Sequence, residues 1–335
     1  MIGSTRALPI VDSFSRVHKS FRISVTDRCN IRCFYCMPEN VQFLPRHAIL
    51  TFEEIARTAE IAASAGVNRI RLTGGEPLVR GQLWKLVQML KAIDGIDDVA
   101  LTTNGILLAD QAVQLRSHGL DRVNVSLDTL NPVTFEKITR RKGLERVLAG
   151  IDAAVDAGFE QIKINAVSMA GITDTDIVPL AEFARRKQLE LRFIEFMPLD
   201  GDEAWSRQQV LTGDDIRQTI SQNVGLLQPV SRPHAAQPAT DFEYVDGSGK
   251  VGFINSVTEP FCSSCDRIRM TAEGQFRNCL FSTREWDLRT LLRNSASDNQ
   301  ILDAMRNSVS AKAVAHGIDS QEFQRPAKAM YQIGG

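Results

Sequence analysis

The sequence predicts an α/β fold: an incomplete (β/α)6 TIM-like barrel whose mouth is closed by a C-terminal α+β extension. Three observations carry this expectation. From Phe21 to about Leu199, short hydrophobic strand-like segments alternate with segments of helical period, the pattern of parallel strands joined by right-handed crossovers. Polar residues gather at the C-terminal ends of those strands, where barrel sites are assembled from several strands at once. No G-x-G-x-x-G follows the first strand, which removes the usual signature of an open dinucleotide-binding sheet.

Taken in order, FRISVTD reads as the first strand and leads directly into a cysteine-bearing loop. TFEEIARTAEIAASAG opens with a capping box, Thr51 with Glu54 three residues on, and closes with Gly66 at a helix C-terminus. NRIRLTGGEP is a strand ending in a Gly-Gly turn, and GQLWKLVQMLKAID is an amphipathic helix. DVALTTNG, RVNVSLDT, QIKINAVSM and LELRFIEFMPL supply four further strands, separated by helical segments such as LERVLAGIDAAVDAG and DIVPLAEFARRKQ. The strand-end polar residues are Thr26 and Asp27, Thr73 to Glu76, Thr102 to Asn104, Ser126 and Asp128, Asn165, and Glu195 to Met197. This assigns residues 1–199 to the barrel and 200–335 to the extension. Residues 200–240 read as a proline-bearing connection with one short helix near Asp214 to Gln222, and EYVDGSGKVGFINS reads as a hairpin.

The bulk numbers exclude several classes. With 335 residues, 43% hydrophobic and 24% charged, the chain can bury a sizeable core. A formal net charge of −1 argues against a protein that blankets nucleic acid. No apolar run approaches the ~20 residues that span a bilayer, and the N-terminal stretch lacks the apolar region of a secretory signal. The expectation is a cytoplasmic chain without nucleic-acid or membrane partners; composition leaves a homodimer open.

All six cysteines fall into two groups, Cys29, Cys33 and Cys36, and Cys262, Cys265 and Cys279, with a long cysteine-free stretch between them. Clustering of this kind in a large chain points to metal chemistry in a reducing compartment rather than to disulfides. The first spacing also fits one face of a helix, so buried core cysteines are the bland alternative. Against it, charged residues crowd the stretch, Pro38 ends it at once, and a strand leads straight into it. Zinc completed by His47 matches no common finger spacing. The second group leaves structural zinc open on spacing alone. However, Arg267 and Arg269 follow Cys265 at once and stand two apart, so in an extended segment both guanidiniums point the same way and suit an anionic ligand.

C-x3-C-x2-C with Tyr35 before the last cysteine, followed by Gly74-Gly75-Glu76-Pro77, resembles the radical S-adenosylmethionine (SAM) enzymes. That resemblance implies a [4Fe–4S] cluster held by three thiolates, with SAM on the remaining iron. There the cofactor supplies the hard chemistry and the protein supplies position and exclusion of solvent. GFINSVTEPFCSSCDRIRMTAEGQFRNCLF and the final Gly334-Gly335 narrow the resemblance to the GTP 3′,8-cyclase family of molybdenum cofactor biosynthesis. The family implies a second three-cysteine [4Fe–4S] cluster that meets the guanine of GTP. It also implies hydrogen abstraction from C3′ of GTP and closure of C3′ onto C8.

The same resemblance implies the ligand sets. For SAM these are Tyr35, Gly75, Glu76, Asn104, Ser126 and Met197. For GTP they are Arg22, Arg69, Arg71, Thr102, Lys163 and Arg192, with Arg267, Ile268 and Arg269 between Cys265 and Cys279. Arg267 and Arg269 are also the candidate catalytic residues, and Gly334 and Gly335 form a tail reaching the site. GTP brings about four negative charges, which Arg, Lys and backbone N–H groups must offset. Strand periodicity agrees in part: Arg69 and Arg71 share one face, as do Lys163 and Asn165. The implied partners are GTP, an electron donor such as flavodoxin or ferredoxin, and a downstream cyclic pyranopterin monophosphate synthase. Two rivals stand beside this reading. A twin-cluster peptide-modifying radical enzyme would usually carry more C-terminal cysteines, and an iron–sulfur carrier or zinc module needs neither the Gly-Gly-Glu-Pro turn nor the arginine pair.

Overall fold

A computed structural model describes residues 7–202, 205–232 and 234–334. Six strands run in parallel and in chain order: β1 (Ser20–Ser24), β2 (Arg69–Thr73), β3 (Asp98–Thr103), β4 (Arg122–Ser126), β5 (Gln161–Ser168) and β6 (Glu190–Glu195). Helices α1 (Phe52–Ser64), α2 (Leu83–Lys91), α3 (Ala112–Ser117), α4 (Pro132–Thr139), α5 (Leu144–Asp156) and α6 (Ile177–Arg186) connect them. The start of α1 is the capping box: the Thr51 hydroxyl accepts from the Glu54 N–H at 3.1 Å, and the Glu54 carboxylate accepts from the Thr51 N–H at 2.7 Å. Gly66, at φ +93°, ends that helix in the left-handed region that only glycine enters freely.

The period of two along each strand sorts the sequence onto two faces. Phe21 and Ile23 of β1, Ile70 and Leu72 of β2, Val123 and Val125 of β4, and Ile162 and Ile164 of β5 pack into one core with the apolar stripes of the helices. The alternate positions, Arg22, Arg71, Thr102, Asn124, Lys163 and Arg192, face the other way. Register then lines them up: Arg22 pairs with Arg71, Thr102 with Asn124, Asn124 with Lys163, and Asn165 with Arg192.

The C-terminal half does not form a separate layer. After α7 (Gly213–Asn223), strands β7 (Leu227–Pro229), β8 (Thr240–Tyr244) and β9 (Lys250–Ile254) extend the sheet beyond β6, with β9 parallel to it. β10 (Arg267–Met270) lies parallel to β1 at the opposite edge, followed by the antiparallel β11 (Gln275–Arg277) and β12 (Trp286–Asp287). Among the described residues the sheet order is β12-β11-β10-β1-β2-β3-β4-β5-β6-β9-β8-β7. Residues 255–266, which carry Cys262 and Cys265, therefore run from one edge of the six-strand block to the other. Helices α8 (Arg289–Arg293), α9 (Asp298–Ser310) and α10 (Met330–Ile333) complete the chain. No helix among the described residues is long and apolar enough to cross a membrane.

Candidate functional site

A cavity of about 900 Å³ opens on the polar face of β1 to β6 and β10. Cys29, Cys33 and Cys36 reach it from the loop after β1, which is a series of turns and not a helix, so the helix-face reading of their spacing does not apply. The loop is held by backbone contacts: Gly75 N–H donates to Thr26 O at 2.8 Å and Glu76 N–H to Arg28 O at 2.8 Å. A Cβ at Gly75 would lie 2.5 Å from Arg28 O, and one at Gly74 2.6 Å from Thr26 O. The two glycines thus let the turn after β2 close directly onto the cysteine loop.

Glu76 is fully buried and does not line the cavity. Its carboxylate accepts from Asn104 N–H at 2.6 Å, Thr103 hydroxyl at 2.8 Å and Leu78 N–H at 2.9 Å. Burial pushes its pKa up to about 7, against the pull of those donors. Glu76 thereby holds the end of β3, from which Asn104 Nδ2 lies 3.7 Å from Cys29 Sγ. Tyr35, Gly75, Ser126 and Met197 line the cavity with Asn104. The Tyr35 hydroxyl donates to Asp128 Oδ2 at 2.6 Å, and Asp128 Oδ1 accepts from Val167 N–H at 2.8 Å. Asp128 was visible in the sequence only as a strand-end polar residue; its spacing of two from Ser126 was the available signal.

The basic residues divide into two groups. Arg69 is paired with Asp266 at 2.5 Å, Lys163 with Glu190 at 2.6 Å, and Arg192 with Glu190 at 2.5 Å. Arg22, Arg71 and Arg269 form no ion pair among the described residues. Arg71 donates to Thr102 Oγ1 at 3.3 Å. Burial, with Arg269, Arg267 and Arg71 nearby, holds Arg22 well below the usual guanidinium range. Burial brings Arg71 down to about 9, with Arg122 and Arg192 adding to it, and brings Arg269 down to about 10 with help from Arg267. Concentrating buried positive charge in this way is unfavourable until an anion enters. Ile268 points the other way, into the core between Arg267 and Arg269, leaving only its backbone on the site side.

Cys262, Cys265 and Cys279 lie beside this arginine group, next to the cavity-lining Phe261, Asp266 and Leu280. Arg267 Nε donates to Cys265 Sγ at 3.3 Å and its guanidinium sits 4.6 Å from the Phe261 ring centre. Burial works against ionising the Cys265 thiol, but Arg267 and Lys312 bring it down to about 6. The tail docks at the same place. Met330 N–H donates to Leu199 O at 3.0 Å, and Gly334 O accepts from Arg269 Nη1 at 3.0 Å. A Cβ at Gly334 would stand 2.6 Å from Thr73 Oγ1 and 2.8 Å from Ser24 Cβ. Gly335 lies outside the described residues.

All six cysteines are free and partly buried. Among the described residues no three His, Cys, Asp or Glu side chains converge as a single metal ion would require. Three thiols in one loop, lining a cavity and backed by an amide donor, suit an iron–sulfur cluster.

Comparison with known proteins agrees. The radical SAM superfamily model matches residues 23–184, and the Molybdenum Cofactor Synthesis C model matches residues 189–318. The GTP 3′,8-cyclase of Rhodopirellula baltica is 51% identical over 335 residues, covering 99% of this chain and 93% of that protein. That of Streptomyces coelicolor is 43% identical over 328 residues, covering 97% and 96%. The structure of Streptococcus suis SuiB bound to S-adenosylmethionine superposes with a TM-score of 0.62 at 13% identity, over 92% of this chain and 76% of that one. This likeness shows the fold, a radical SAM α/β architecture with a mostly parallel sheet. With near-full-length identity to these relatives and both family models matched, the chain belongs to the GTP 3′,8-cyclase family of radical SAM enzymes.

Proposed function

We propose that this chain converts GTP to (8S)-3′,8-cyclo-7,8-dihydroguanosine 5′-triphosphate, the first step of molybdenum cofactor biosynthesis. The observation that carries the reading is the set of guanidiniums, Arg22, Arg71 and Arg269, that have no ion pair among the described residues and share a cavity with the first cysteine triad. A polyanion is the ligand that such a group accepts.

Cys29, Cys33 and Cys36 would hold the [4Fe–4S] cluster, with SAM beside it against Tyr35, Gly75, Asn104, Ser126 and Met197. Bound together, they supply one-electron chemistry able to take hydrogen from an unactivated C–H bond. Glu76 fixes Asn104, and Asp128 fixes Tyr35, so both side chains meet the cofactor pre-oriented. Cys262, Cys265 and Cys279 would hold a second [4Fe–4S] cluster beside the guanine. Arg22, Arg71, Thr102, Lys163 and Arg192 take the triphosphate and ribose, with Arg69 at the rim. Arg267 and Arg269 touch the reacting base as catalytic residues and donate N–H toward charge developing on the ring. The docked tail, through Gly334, keeps water from the space between the two triads.

A partial (β/α)6 barrel is the finer fold this supports, because one cavity collects residues from all six strands and the 255–266 segment links the two edges. In this division residues 1–199 generate the radical and 200–335 bind the base. The expected setting is cytoplasmic, with a flavodoxin- or ferredoxin-type reductant and a cyclic pyranopterin monophosphate synthase taking the product. Calorimetric titration of the anaerobically reconstituted protein tests the substrate. GTP should bind at least tenfold more tightly than ATP and lose affinity as salt rises; equal binding of the two would contradict the guanine assignment.

A further inference from the structure

Cys265 differs from the other two cysteines of its triad. Its sulfur receives two cationic donors, Arg267 Nε at 3.3 Å and Lys312 Nζ at 3.4 Å. Among the described residues no side-chain donor reaches Cys262 or Cys279 Sγ. Lys312 follows the C-terminus of α9, where its backbone N–H donates to Val309 O at 3.0 Å. Its side chain is 6% exposed as a residue, and Nζ also donates to Arg267 O at 2.9 Å. One ammonium therefore joins the ligand sulfur to the backbone of an arginine in the cavity.

The lysine is pinned from outside as well. Arg16, on the hairpin before β1, donates Nη2 to Ala313 O at 2.8 Å and Nη1 to Val314 O at 3.1 Å. The same Nη1 reaches Cys262 O at 2.6 Å, and Arg16 Nε is held by Asp12 Oδ2 at 2.5 Å. A long, flexible side chain would not otherwise keep one geometry when buried, because ordering it costs rotamer entropy.

We propose that Lys312 is a positioning residue that sets the reduction potential of the second cluster through Cys265 and holds Arg267 in register with it. The inference rests on the reading that the second triad binds a [4Fe–4S] cluster. Cationic hydrogen bonds to a ligand sulfur favour the state carrying one more electron, and burial makes the effect stronger than at a surface. Removing the ammonium should therefore make the one-electron couple more negative. The electron in the test comes from dithionite through mediators.

The test uses the full-length chain carrying Cys29→Ser, Cys33→Ser and Cys36→Ser, so that only the second triad can bind iron. Reconstituted protein is assayed for iron and sulfide and titrated redox-wise with paramagnetic resonance detection. Lys312→Gln should keep its iron, while its reduced-to-oxidised ratio at the parent midpoint falls about tenfold, a shift of about 59 mV for one electron. Lys312→Arg, which keeps the charge, should restore the parent midpoint. An unchanged midpoint in Lys312→Gln would overturn the inference while leaving the cluster in place. Loss of iron from Lys312→Gln with full iron in Lys312→Arg would also overturn it, making the lysine an assembly element. Absence of iron from the parent itself would instead refute the second cluster.

Discussion

Glu76→Gln replaces a fully buried acid with its closest uncharged shape. In the folded chain burial raises the Glu76 pKa from the ordinary 4.5 to about 7. Because the folded pKa lies above the unfolded one, the folded state holds more protons between these values. The stabilising contribution is complete below about 4.5 and is lost as pH rises through about 7. At 1.36 kcal/mol per unit, a displacement of this size is worth roughly 3 kcal/mol, as an order of magnitude. Glutamine keeps one accepting oxygen, enough for either the Asn104 or the Leu78 N–H but not both, since these donate to different oxygens of Glu76, and it has no proton to lose. Urea denaturation of the cluster-free chain at pH 5 and pH 7.5 should show the variant gaining about 2–3 kcal/mol on the parent between the two. A stability difference that is the same at both pH values would refute the reasoning and with it the buried, structure-holding role of Glu76.

Gly75→Ala should destabilise the chain by ~1–3 kcal/mol and lower iron per chain, because the new methyl meets the Arg28 carbonyl, which is backbone. Gly81→Ala, with open space around it, should be near neutral in the same denaturation and iron assays. Glu195 accepts from Val257 N–H at 2.7 Å and Thr258 N–H at 2.9 Å. Glu195→Gln should therefore cost about 1–3 kcal/mol and speed proteolysis of the 255–266 segment, as read by limited digestion. Arg22→Gln should weaken GTP about 10- to 100-fold in calorimetry while leaving SAM affinity unchanged, since Arg22 lies in the arginine group that has no ion pair among the described residues.

The parts of this molecule that were legible in its sequence are those governed by local rules. The Thr51 and Glu54 box starts α1 as the spacing required, and the alternation in RIRLT and QIKIN put Arg71 and Lys163 on the cavity face. Nothing local says that β9 and β10 join opposite edges of one sheet, because strand pairing across such distances in the chain leaves no periodic trace. The Gly74-Gly75 pair was legible as a turn, but the loop that its bare backbone meets was not. The partners of Glu76 and Asp128 were hidden for the same reason. Lys312 carries no sequence signal at all, since its contact with Cys265 is purely tertiary.

The most direct test of the central claim is strictly anaerobic turnover of the reconstituted chain with SAM, dithionite and GTP deuterated at C3′. Deuterium should appear in the 5′-deoxyadenosine formed, together with a product isomeric with GTP and closed between C3′ and C8. Cleavage of SAM without deuterium transfer, by protein shown to contain both clusters and bound GTP, would contradict that claim.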